Sequence, residues 1–301
     1  MQNTISLLQN WDMWWKDSEK NISPLVIGGL GGSGTRVIAQ LVNDLGFYLG
    51  SHLNEPLDNL WFTFFLRRPK SFNSFDDKKI TQSVFLFDLA MKNKMPINAR
   101  TKIKLYKIAF EFIVYNYVKG KERFHFPIRC IRSIENQKED FNYNYWGWKE
   151  PNSHLFIPQL SIQYPNMKYI HVIRHPLDIM YGTNFIQLFN WHYLFNIENP
   201  NEKNKRLLML EYYDKANERA INIGKEILKD NFLLLRYEDL IEKKYSTIQS
   251  IVKFLNIEFD DSKNISLLNI PFTIIKRYNE NQYKSMLNDS LVKLMNKYDY
   301  K

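Results

Sequence analysis

The chain has 301 residues, 45% of them hydrophobic and 24% charged, and its 41 Lys plus Arg against 32 Asp plus Glu give a formal net charge of +9. That balance belongs to a globular protein rather than a disordered or fibrous one, and the length fits a single α/β core with insertions over 1–301. One cysteine, Cys130, allows no internal disulfide and builds no thiolate zinc site or iron–sulfur cluster, so a reducing compartment, the cytoplasm, is expected.

Residues 1–23 read as an N-terminal helical extension carrying Trp11, Trp14 and Trp15; they lack the basic and apolar regions of a secretory signal. Leu25 to Gly28 is a short apolar run entering a glycine-rich turn, and Val37, Ile38, Leu41, Val42 and Leu45 then follow with helical spacing up to Gly46. A second short strand is expected at Phe47 to Leu49. From about 56 to 142 the chain is rich in Phe, Trp and Lys and reads as a helical insertion on the acceptor side. Its aromatic cluster Trp61, Phe62, Phe64 and Phe65 fits either a core or a pocket wall. The apolar stretch Tyr106 to Val118 is broken by Lys107 and Glu111, too short and too charged for a membrane span. The basic runs at Arg67-Arg68-Pro69-Lys70 and Lys119-Gly120-Lys121-Glu122-Arg123 are too short to track a nucleic-acid groove, so no nucleic-acid partner is expected.

Tyr145 to Lys149 reads as a strand, and Lys168 to Ile173 as a buried strand running into Arg174-His175-Pro176, where proline suits the first turn of a helix and Asp178 its positive start. A long helix fits Arg206 to Leu228. Phe232 to Leu235 is a further apolar strand, followed by a helix bearing Ile248, Ile251, Val252 and Leu255. Alternation of this kind predicts a parallel sheet covered by helices on both faces.

The segment Gly28-Gly29-Leu30-Gly31-Gly32-Ser33-Gly34-Thr35-Arg36 stands between a strand and a helix, where backbone amides and the helix dipole cradle phosphate. Gly29, Gly31 and Gly34 satisfy the dinucleotide pattern G-x-G-x-x-G, a weak signal alone. The same residues have Walker spacing, yet Thr35 stands in place of the lysine and Arg36 in place of the magnesium-binding hydroxyl residue. The strand Tyr169 to Ile173 ends in Arg174 where an NTPase has a magnesium-holding Asp, which favours direct phosphate contact and no metal.

Three blocks together resemble the sulfotransferases that use 3′-phosphoadenosine 5′-phosphosulfate (PAPS), over roughly residues 24–260. Gly32-Ser33-Gly34-Thr35-Arg36 is similar to the 5′-phosphosulfate loop, Tyr169 to Asp178 to the 3′-phosphate segment, and Leu235-Arg236-Tyr237-Glu238-Asp239-Leu240 to the later strand-end block. The resemblance implies a P-loop-like α/β fold. It also implies sulfuryl transfer to a small-molecule or glycan hydroxyl or amine, releasing 3′-phosphoadenosine 5′-phosphate (PAP). Ser33, Gly34, Thr35 and Arg36 would hold the 5′ end, and Arg174 the 3′-phosphate. Two positions depart from the family pattern: Gly32 replaces a basic residue, and Gly182 replaces a serine eight residues after Arg174, with Thr183 beside it as a substitute hydroxyl.

The resemblance further assigns Lys149 or Arg36 to the charge that develops on the leaving phosphate, and Lys276 and Arg277 to a C-terminal basic closure over the nucleotide. Glu55, 20 residues after Thr35, is the expected base, with His52, Asp58, Glu150 and His154 as the other candidates. A nucleotide or small-molecule kinase and a non-catalytic nucleotide-binding module share the same fold and stay open.

Overall fold

The computed structural model describes residues 23–116, 120–137, 141–257 and 276–300. The expected N-terminal helix therefore lies outside the described residues, apart from its last position. Four strands, β1 (Leu25–Gly29), β2 (Gly147–Lys149), β3 (Lys168–Ile173) and β4 (Phe232–Arg236), form one sheet in the order β2-β1-β3-β4, and every neighbouring pair is parallel. Ile27 stands opposite Lys149 on one side and Ile170 on the other, while Ile173 stands opposite Arg236. The loop after β1 and the ends of β2, β3 and β4 therefore open at one edge of the sheet, where ligands of open parallel sheets bind.

Helix α1 (Thr35–Asp44) follows the glycine loop. Next come α2 (Leu60–Leu66), α3 (Lys78–Met91), α4 (Ala99–Tyr115) and α5 (Glu122–Glu135), the first three started by the side chains of Asn59, Asp77 and Asn98 accepting from backbone amides. A short 3-10 turn at Pro151–Phe156 leads into α6 (Ile157–Gln163). The remaining α-helices among the described residues are α7 (Pro176–Met180), α8 (Ile186–Trp191), α9 (Lys205–Leu228), α10 (Asp239–Glu242), α11 (Lys244–Leu255), α12 (Glu280–Met286) and α13 (Asp289–Lys297).

Strand residues alternate between two cores. Val26, Tyr169 and Ile173 face a large cluster with Trp61, Phe87, Trp148 and Tyr212, whereas Leu25, Ile27, Ile170, Val172 and Leu235 face a smaller one with Ile38, Val42, Ile248 and Ile251. Each fully buried side chain of this size contributes about 1.5–3 kcal/mol, and burial on both faces explains why these strands read as unbroken apolar runs.

The strand expected at Phe47 to Leu49 is reduced to one bridge, Tyr48 to Trp146. The chain leaves β2 early because Gly50, at φ +112°, turns it, and Asn59 returns to take the vacated edge: its backbone N–H donates to the Lys149 carbonyl (2.8 Å) and its Nδ2 to the Leu49 carbonyl (3.0 Å). The aromatic cluster is core: Trp61, Phe62, Phe64 and Phe65 are all fully buried, and the Phe62 ring lies 5.9 Å from that of Trp148.

Candidate functional site

The loop between β1 and α1 is shaped by glycines that neighbouring side chains require. Gly34, at φ +98°, caps α1 in the left-handed region, and a Cβ there would lie 2.1 Å from Cδ2 of Tyr237, just beyond β4. From α8, Gln187 accepts the Gly31 N–H at 2.7 Å and so pins the loop to the opposite wall. Ser33 is buried, and its Oγ has no hydrogen-bond partner among the described residues. Buried polar atoms are rarely left so. With Thr35 also buried, and the N-terminus and dipole of a ten-residue helix behind them, the loop has the groups that can hold an anion.

A second cationic element stands at the end of β3. Arg174 is buried; its Nε donates to Asp178 Oδ2 at 3.0 Å, and its guanidinium lies 4.8 Å from the Tyr237 ring centroid. Asp178 also accepts the backbone N–H of Arg277 at Oδ1 (2.8 Å), and its carbonyl accepts from Arg277 Nη1 at 3.3 Å. The same Nη1 lies 2.8 Å from where a Cβ at Gly32 would stand and 2.9 Å from one at Gly182. The guanidinium of Arg277 thus fills the space beside both glycines at which the sequence departs from the family pattern. Partial burial and the positive charge of Arg174 lower its pKa. Two guanidiniums thus stand beside one carboxylate, Arg174 bonded to it and Arg277 to the Asp178 carbonyl, leaving a net positive charge between the loop and α7 that a phosphate can balance. Thr183 and Lys276 are exposed next to these residues in sequence.

The third group surrounds the end of β2. Lys149 is buried, and its ammonium donates to Asp58 Oδ1 (2.5 Å) and the Pro56 carbonyl (3.0 Å), fastening the 56–58 turn to the strand. Glu55, immediately before that turn, has a 90% exposed side chain 3.7 Å from Arg36 Nη1. The carboxylate expected as base and the loop arginine are therefore brought together, while Lys149 is directed toward Asp58.

The other candidates divide by burial. Glu150 is enclosed, accepting from Asn152 N (2.6 Å), Asn152 Nδ2 (2.8 Å) and Thr63 Oγ1 (3.3 Å); burial first, and the nearby Asp58 charge second, push its carboxyl up to about 7. His154 is buried beside Gln187, and burial, with the charges of His171 and Arg219, holds its pKa well below the usual range. Burial, then Arg129, lowers that of His52.

Three residues that shape this site have no role in the sequence reading. Gln187 and Asn184, whose Nδ2 would meet a Cβ at Gly31 at 2.6 Å, belong to no recognisable motif. Tyr237 lay within the third block, and its contact with Gly34 accounts for that block standing beside the loop.

The Sulfotransferase family model matches residues 24–261, well over half of the chain. No curated protein matches it. Among solved structures, a sulfotransferase of Mycobacterium avium is similar at 13% identity, covering 96% of this chain and 81% of that one with a TM-score of 0.49. A sulfotransferase domain from the curacin biosynthetic pathway is similar at 13% identity, covering 93% and 98% with a TM-score of 0.44. A mouse sulfotransferase solved in complex with PAP is similar at 11% identity, covering 93% and 88% with a TM-score of 0.38.

Proposed function

The chain belongs to the sulfotransferase family, and from that premise we propose that it transfers a sulfuryl group from PAPS to a hydroxyl or amine of a small-molecule or glycan acceptor. The observation that carries this reading is the pair Arg174 and Arg277, joined through Asp178 and set against the glycine loop with its unpartnered Ser33 hydroxyl. A nucleotide with phosphate at both its 5′ and 3′ positions suits two such anion sites.

PAPS supplies the sulfuryl group and an anionic leaving group. Ser33, Gly34, Thr35 and Arg36 hold the 5′ end through amides, hydroxyls and a guanidinium; Arg174 holds the 3′-phosphate, with Thr183 and Lys276 at its margin. Arg277 stands between the two ends and supplies the cation that Gly32 does not. Arg36 is the better placed of the two candidates for offsetting charge on the leaving phosphate, because its pair with Glu55 is long and open to water whereas Lys149 is buried against Asp58. Glu55 accepts the proton of the acceptor as the new S–O or S–N bond forms and the bridging O–S bond breaks, its electron pair departing with PAP. The single buried Cys130 supports a reducing compartment, the cytoplasm, as the place of reaction.

A thermal-shift comparison of PAP, AMP, ATP and NAD, with and without magnesium, tests the reading. PAP without metal is expected to stabilise the protein most, by about 2.7 kcal/mol at 100 times its dissociation constant. A magnesium-dependent shift with ATP alone would assign the chain to the kinases. A PAP shift without turnover across an acceptor screen would leave a binding module.

A further inference from the structure

Helix α4 has two apolar faces. Thr101, Leu105, Ile108, Ala109 and Phe112 are buried against the insertion. On the outer side Ile103, Tyr106, Phe110 and Val114 are 71, 54, 66 and 40% exposed. At 3.6 residues per turn these four share a sector of about 80°. Cations border it on both sides: Lys102 on one, and Lys107, Arg100 and Lys104 on the other, all exposed. Of these, Lys102 pairs with Glu135 at 3.0 Å. The only acid in the helix, Glu111, is turned inward onto Arg68. At the C-terminal end, Arg123 of α5 donates to the Val114 carbonyl (3.0 Å), and its neighbour Phe124 is 55% exposed.

We propose that α4 is a peripheral docking element for an anionic lipid surface. Ile103, Tyr106, Phe110 and Val114 enter the boundary between headgroups and acyl chains, while Arg100, Lys104 and Lys107 lie along the headgroup phosphates. The distribution of charge selects this occupant. An apolar stripe edged by cations is the pattern of helices that lie in a membrane interface, with lysine stems reaching outward to the phosphates. A second copy of the same face would set these cations against their equivalents. The inference goes beyond the sulfotransferase reading and does not rest on it.

Vesicle cosedimentation of the full chain is the test, using phosphatidylcholine with and without phosphatidylserine. Binding is expected only with phosphatidylserine, weakening as salt is raised. Ile103→Ser/Phe110→Ser should lower vesicle affinity about tenfold or more, and Lys104→Glu/Lys107→Glu should abolish the preference for phosphatidylserine. Both pairs are exposed, so an unchanged melting temperature and circular dichroism spectrum serve as the control that the fold is intact. No binding by the wild-type chain would overturn the proposal, as would unchanged binding by Ile103→Ser/Phe110→Ser. A dimer in sedimentation equilibrium that this variant dissolves would give the face to a second copy and overturn it equally.

Discussion

Arg277 offers the sharpest test of the proposed site, because one guanidinium lies within 2.9 Å of the Cβ positions of two glycines from separate segments. Among the described residues its Nη1 is held by one long bond, to the Asp178 carbonyl (3.3 Å), so turning that group toward a phosphate forfeits little. A charge-assisted hydrogen bond contributes about 1.5–3 kcal/mol, so Arg277→Ala should weaken PAP by about 10- to 100-fold. AMP should weaken too, since the guanidinium reaches the loop side at Gly32 as well as the α7 side at Gly182. Gly182→Ser adds a more demanding condition. Its Cβ would collide with Arg277 Nη1 and crowd the Ile179 and Asp178 carbonyls, so alone it should displace the guanidinium and weaken PAP. In the Arg277→Ala background the main collision is gone, and the added hydroxyl has room. Calorimetry of PAP on the four proteins should therefore give a coupling of about 0.5–3 kcal/mol between the positions. Additive losses, or an Arg277→Ala variant that binds PAP like wild type, would refute the reasoning.

What was legible in the sequence was whatever depends on residue order along one segment. The strand, glycine loop and helix from Leu25 to Asp44 could be read because apolar runs and glycines alternate over short distances. Arg174 at the end of β3 could be read for the same reason. Contacts between segments left no such trace. Gln187 reaches the Gly31 amide across 156 positions, and nothing near it in sequence marks that role. Lys149 was legible as a strand-end lysine, but its pairing with Asp58 follows from how Asn59 closes the 49–59 turn onto β2. That closure also reduces the expected second strand to a bridge at Tyr48. The glycines at 32 and 182 looked like losses when taken one at a time. Only the fold brings the Arg277 guanidinium beside both.

The remaining predictions concern the other members of the site. Arg174→Ala should remove most of the advantage of PAP over AMP in thermal shift, and equal shifts for the two nucleotides on the wild-type protein would overturn the 3′-phosphate assignment. Thr183→Val, at an exposed position, should weaken PAP several-fold in calorimetry with the fold intact. Glu150, raised from 4.5 to about 7, binds its proton more tightly folded than unfolded, so its contribution to stability is complete below pH 4.5 and declines as pH rises to 7. The difference in unfolding free energy between wild type and Glu150→Gln should change by about 3 kcal/mol across that window, and a flat difference would mean the carboxyl is ionised throughout. Glu55→Gln tests the base. Its carboxylate is 90% exposed and meets Arg36 at 3.7 Å, and a pair so open to water is worth about 0–1 kcal/mol, so the melting temperature should hardly move. PAP affinity should hold as well, because the carboxylate repels the nucleotide if it does anything to it. Loss of basicity should nevertheless lower sulfuryl transfer by about 10² to 10⁴ with whichever acceptor turns over. If Glu55→Gln keeps full turnover, the proton must go to another group on the same edge. Asp58 is then the first to test, because Glu150 and His154 are enclosed in the core and Asp58 is the remaining carboxylate of that turn.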